Sequence, residues 1–140
     1  MMHAPAPQGN YVPAKRHGDL VYTSGMTPRD NGVLVFVGPV SPDVSLETYQ
    51  PAIELAAKNA LTAARLLAVP PERIVGILSL TVYIAGEPGL TAHARLADFA
   101  SAYLQRELGH DGIGCRAAIG VATLPGNAPV EIQLIATVGE

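Results

Sequence analysis

The spacing of apolar residues changes character several times along the chain, and each change marks an element. From Ser45 to Ala68 the apolar positions Ile53, Ala56, Ala57, Ala60, Leu61, Ala64, Leu67 and Ala68 recur at three-and-four spacing, which predicts a helix with one buried face. Its many alanines let that face pack close to a sheet. Pro51 fits if the regular helix starts near Thr48, so that its missing N–H falls in the first turn; otherwise it kinks the helix. The pattern leaves both open. Thr91 to Leu108 predicts a second helix, with Leu96, Phe99, Ala100, Tyr103 and Leu108 inward and Gly109 as its stop.

Between and around the helices the pattern is that of strands. Tyr11 to His17 and Leu20 to Ser24 flank Gly18-Asp19 as a hairpin, and Gly25 gives the backbone freedom to turn after it. Asp30-Asn31-Gly32 is a turn, and Val33 to Val37 predicts a third strand closed by Gly38-Pro39. Pro70-Pro71 stops the first helix. Arg73 to Ala85 is apolar on both sides, as a central strand would be. The C-terminal runs Cys115 to Thr123 and Val130 to Val138 flank a Pro/Gly/Asn connector, Leu124 to Pro129, which reads as a loop between paired strands.

The resulting order is three strands, helix, strand, helix, two strands. It predicts an α+β fold, a mixed sheet backed by two helices on one face. Residues 1–8, rich in Pro and Ala, read as a flexible arm, and 9–140 as a single domain. No helix remains to cover the second sheet face, so packing of sheets between subunits is expected there.

Composition points the same way. Of 140 residues, 49% are hydrophobic and only 15% charged, against about 25% in a typical domain. So few charges coat a monomer poorly, and a homo-oligomer is expected. Cys115 is the single cysteine, and by alternation it faces away from Arg116, as a buried small hydrophobe rather than a nucleophile. His3, His17, His93 and His110 are scattered without metal-ligand spacing, so no metal is expected, and His17, His93 and His110 read as surface residues. The net charge is −3, and the one cationic cluster, Lys15-Arg16-His17, reads as a solvated strand end, which argues against a nucleic-acid partner. The N-terminus has no apolar leader, and no apolar run reaches the ~20 residues that span a bilayer, so a cytoplasmic protein without a membrane partner is expected.

Two charges stand out in the apolar C-terminal runs. Arg116 shares one strand face with the small residues Ala118, Gly120 and Ala122, and Glu131 opens the next run. One reading pairs them as an ordinary ion pair at a sheet end. In the other, Arg116 is free of any internal carboxylate and its guanidinium faces a gap that admits a planar anion, which it would grip bidentately.

The chain resembles the RidA/YjgF family, of chorismate-mutase-like fold, from Gly9 to its end. The resemblance rests on Gly9-Asn10-Tyr11-Val12-Pro13-Ala14, Leu20-Val21-Tyr22-Thr23-Ser24-Gly25, Asn59-Ala60-Leu61, and Arg116 followed by Leu124-Pro125 and Glu131. It implies a homotrimer with clefts between subunits and cofactor-free hydrolysis of enamines and imines (2-imino acids) to 2-keto acids and ammonia. Carried over by position, Arg116 holds the substrate carboxylate, Glu131 places the water, and Tyr11 and Ser24 line the cleft. The departures are Ala118 where the deaminase branch has a cysteine, Thr123 where it has a basic residue, and Asp98 where relatives of the Gly-Asn-Tyr-Val-Pro-Ala type have asparagine. They place the chain in a side branch, for which a binding protein for a small carboxylate such as a keto acid, without turnover, is the alternative. The endoribonuclease or translation-inhibitor role also attached to the family would need a paired acid and base and a basic track, and neither is evident.

Overall fold

A computed structural model of the protein describes residues 5–140. Part of the predicted N-terminal arm, residues 1–4, lies outside the described residues. Among those described, no residue before Ala14 is in a helix or strand.

Strands Ala14–His17 (β1) and Leu20–Thr23 (β2) form the predicted hairpin, with Gly18 at φ 60° in its turn. The expected third strand is mostly absent. Only Val33–Leu34 (β4) is extended, and it pairs with Arg29–Asp30 (β3) in a separate two-stranded ribbon. Gly38, at φ 92°, turns the chain away after it.

A 3₁₀ turn over Leu46–Tyr49 leads into helix α1, Gln50–Arg65. Pro51 falls in the first turn, so the unkinked alternative holds. Ile53, Ala56, Ala57, Ala60, Leu61 and Ala64 are buried as the spacing requires. Strand β5 spans Arg73–Ala85 and helix α2 spans His93–Leu108, closed by Gly109 at φ 78°. Strands Cys115–Val121 (β6) and Val130–Gly139 (β7) complete the chain.

The main sheet runs β1-β2-β7-β5-β6, antiparallel except for the parallel β5–β6 pair. The expectation that the two C-terminal strands pair with each other is therefore wrong. Strand β5 lies between them, and the Leu124–Pro129 connector, which contains a 3₁₀ turn over Pro125–Asn127, carries the chain past it. Both helices cover one face. There β7 contributes Val130, Ile132, Leu134 and Ala136, β5 contributes Leu80, Val82 and Ile84, and α2 packs Leu96, Ala100 and Leu104 against the sheet.

The second face has no cover among the described residues. Tyr22, Leu78 and Ile119 remain 48%, 48% and 41% exposed on it, and Cys115 is exposed as well. Cys115 does face away from Arg116, but it is not the buried hydrophobe that was expected. The cluster Lys15-Arg16-His17 is also only partly a solvated end. Arg16 grips Glu72 through two hydrogen bonds of 2.6 and 2.8 Å and donates a third to Leu67 O, fastening the β1 edge to the segment that leaves α1. Among the described residues no helix is long and apolar enough to cross a membrane.

Candidate functional site

Arg116 is the second residue of the edge strand β6. Its register partner on β5 is Leu80, which is buried against the helices, so the arginine shares the helix face. There it meets the polar side of α2. Ala94, Asp98 and Ser101 follow one another at helical spacing and present a carbonyl, a carboxylate and a hydroxyl in a row. Nη1 donates to Asp98 Oδ1 at 2.7 Å and to Ser101 Oγ at 3.1 Å, and Nη2 donates to Ala94 O at 3.3 Å. The expectation of an arginine free of any internal carboxylate is overturned: Asp98 holds it. So is the simple pairing with Glu131. A guanidinium carries five N–H donors. Three are used here, which leaves Nε–H and one hydrogen of Nη2 without a partner among the described residues.

Glu131, the second residue of β7, lies on the opposite, open face. Its register partner is Tyr83, whose partner on β6 is Ile119. Arg116 and Glu131 are thus two strand spacings apart, roughly 10 Å, and three residues apart along the strands, again about 10 Å. They also point to different sides of the sheet. No small ligand can touch both side chains within one chain.

Glu131 has other company. Reciprocal hydrogen bonds between Met26 and Ile132, of 2.7 and 2.8 Å, draw the segment after β2 alongside the start of β7. This sets Gly25 directly against the Glu131 carboxylate, where a Cβ would overlap it. The carboxyl group is half-buried, and desolvation pushes its pKa above the ordinary carboxylate value. Ser24 is next in the chain. Its Oγ donates to Val12 O at 2.6 Å and its backbone N–H to Pro13 O at 2.8 Å, tying this segment to the strand entry that carries Tyr11. The Tyr11 hydroxyl accepts from the Gln8 N–H at 3.1 Å, and its ring packs over Gly9.

The four predicted residues therefore form two groups. Tyr11, Ser24 and Glu131 gather at one end of the β1-β2-β7 side, while Arg116 stands alone on the far edge with its α2 partners. None of the four lines the surface hollows of about 580, 500 and 320 Å³.

Sequence reasoning noticed Asp98 only as a departure and missed Ser101 altogether. Their signal was positional: both lie on the polar side of α2, three residues apart. His93, a surface residue by its sequence, is half-buried with its ring over Gly120, where any Cβ would overlap it. His17 and His110 are exposed.

Comparison with known proteins is consistent across sequence and structure. The sequence model of the family described as Endoribonuclease L-PSP matches residues 1–138. A crystal structure of a protein of unknown function from Agrobacterium tumefaciens is 35% identical, covering 93% of this chain and 82% of its own, with a TM-score of 0.82. One from Shewanella oneidensis, named as a candidate endoribonuclease, is 26% identical over 96% of this chain and 89% of its own, with a TM-score of 0.86. The YjgF gene product of E. coli shares the fold at 21% identity and a TM-score of 0.68, covering 98% of this chain and 94% of its own.

Proposed function

The chain belongs to the endoribonuclease L-PSP family, also called RidA/YjgF, and from that premise we propose that it is a cofactor-free hydrolase of enamines and imines, converting 2-imino acids to 2-keto acids and ammonia in a cleft between the subunits of a homotrimer. The observation that carries this reading is the split of the candidate residues. Arg116 lies on one edge of the sheet, while Glu131, Tyr11 and Ser24 lie toward the other, so that each chain supplies two halves of a site. Placing the edge of one copy against the β1-β2-β7 side of the next would join them. The uncovered sheet face supplies apolar area for that contact.

In such a cleft the two free donors of Arg116 take the substrate carboxylate and fix the neighbouring electrophilic carbon. Glu131 of the adjoining copy holds a water against that carbon and accepts its proton as the C–O bond forms. Starting from the protonated imine, Glu131 passes that proton to nitrogen, the C–N bond breaks to release ammonia, and the hydroxyl proton returns to the Glu131 carboxylate as the carbonyl forms. A carboxyl group raised in pKa by burial suits this shuttle, because its carboxylate accepts a proton more readily than an ordinary one. Imines hydrolyse readily unaided, so little lowering of the barrier is required.

The test is imine capture by semicarbazide while an amino-acid oxidase generates imines from several amino acids. The protein is expected to reduce capture, and Arg116→Ala is expected to abolish that effect without loss of fold. No reduction for any amino acid would end the hydrolase reading. Ligand-dependent melting shifts with a keto acid but no turnover would favour the second reading, a binding protein for small carboxylates, which Ala118 motivates.

A further inference from the structure

We propose that Asp98 sets the class of ligand that the Arg116 cleft accepts, favouring carboxylates that carry a cationic nitrogen, such as an iminium or an amino-acid zwitterion, over purely anionic ones such as a keto acid. The inference rests on the reading of Arg116 as the carboxylate clamp. It adds a residue that tunes the clamp and a rule for which ligands it keeps.

An arginine offers a carboxylate two things, hydrogen-bond donors in a fork and a positive charge. Here the two are separated. Nε–H and one Nη2 hydrogen remain free, so donors for a two-point grip persist. The charge does not persist, because Asp98 Oδ1 sits 2.7 Å from Nη1 and is the one carboxylate within ion-pair distance of Arg116 among the described residues. Ser101 and the Ala94 carbonyl, the other partners, are uncharged.

A bare anion entering this cleft meets a nearly neutral pair, since its attraction to Arg116 is offset by repulsion from Asp98. A ligand with a cationic nitrogen one carbon from its carboxylate carries no net charge, and its nitrogen is attracted to Asp98. The Asp98 side chain is available for this. It is 68% exposed, and its Oδ2 has no partner among the described residues.

The chemistry of the proposed reaction gives this selectivity a use. A protonated 2-imino acid is a zwitterion, whereas the keto acid formed from it is an anion. Hydrolysis removes the cationic nitrogen, so the product loses the feature that Asp98 favours and is released more readily than the substrate.

The experiment compares alanine and pyruvate, which share a carbon skeleton and differ in net charge, by calorimetric titration of the full-length protein. The wild type is expected to bind alanine about tenfold more tightly than pyruvate. Asp98→Asn keeps an acceptor for Nη1 and removes the charge. It is expected to tighten pyruvate about tenfold and leave alanine unchanged or weaker, erasing or inverting the preference. A merely structural role would move both ligands together. If Asp98→Asn does so while Arg116→Ala loses both ligands, the Asp98 inference fails and the Arg116 clamp stands. Binding that survives Arg116→Ala, or no binding of either ligand to the wild type at millimolar concentration, removes the clamp and the inference with it. Should Asp98→Asn not fold, Asp98→Ser carries the same comparison.

Discussion

The carboxylate of Glu131 rests against the backbone of Gly25, in a space that a single methyl group would fill. The contact is fixed from both sides. The Met26–Ile132 hydrogen bonds hold the backbones together, and Glu131 is anchored by its place in β7. Gly25→Ala must therefore move the carboxylate rather than the backbone. Hydrolysis of the imine is expected to fall by tenfold or more, since small displacements of a positioned base are costly. Melting should change little, and the kinetics and the melting curve together check this.

Burial of Glu131 has consequences for both activity and stability. Its pKa is raised by desolvation, so the rate should climb with pH along a limb lying above the ordinary carboxylate value, and Glu131→Gln should remove the limb together with most of the activity. In the unfolded chain the group ionises at its ordinary value, so the folded state is penalised once pH rises past it. Glu131→Gln is therefore expected to raise the melting temperature at pH 7 and to lose that advantage at pH 4. A melting temperature lowered at both pH values would contradict the burial argument.

Glu72 behaves in the opposite sense. Two hydrogen bonds from Arg16, aided by the Val69 N–H, hold its pKa down to about 2, against 4.5 without them. The stabilisation is fully present above pH 4.5 and is lost as pH falls through about 2. Thermal melts of wild type and Glu72→Gln should differ by a constant amount from pH 5 to 8 and converge as pH approaches 2. A gap that stays constant into acid would mean that the pair contributes nothing through its charge.

Local periodicity revealed the two helices and the long strand, because each buries a face of its own. The β5 strand begins and ends where its apolar run does, and the first-turn position of Pro51 follows from ordinary helix chemistry. Strand adjacency was not legible. The Leu124–Pro129 connector has the composition of a hairpin loop, but composition cannot tell a neighbour from a strand one place further, and the strand that intervenes lies far back in the sequence. Residues 35–37 have strand composition, but among the described residues only the Val35 N–H finds a backbone partner, Pro28 O, and the ladder stops there. The four site residues carried a positional signal through resemblance, but the Asp98 pairing with Arg116 is a contact across the fold that no local pattern announces.

The uncovered sheet face makes the last prediction. Ile119 lies on it, on the edge strand β6, next to Tyr83 on β5, which in turn neighbours Glu131. If a second copy covers this face, a charge at position 119 would be buried without a partner, at a cost of several kcal/mol per contact. Ile119→Asp is expected to shift the protein to monomer in sedimentation at micromolar concentration while leaving the far-UV spectrum of the fold intact. Arg116 and its Asp98, Ser101 and Ala94 partners lie on the other side of the sheet and remain unchanged in such a monomer. Activity should nonetheless vanish, because the Arg116 half and the Glu131 half of the site no longer come from adjoining copies. An active monomer would show that one chain suffices, and would require Arg116 and Glu131 to act at separate places.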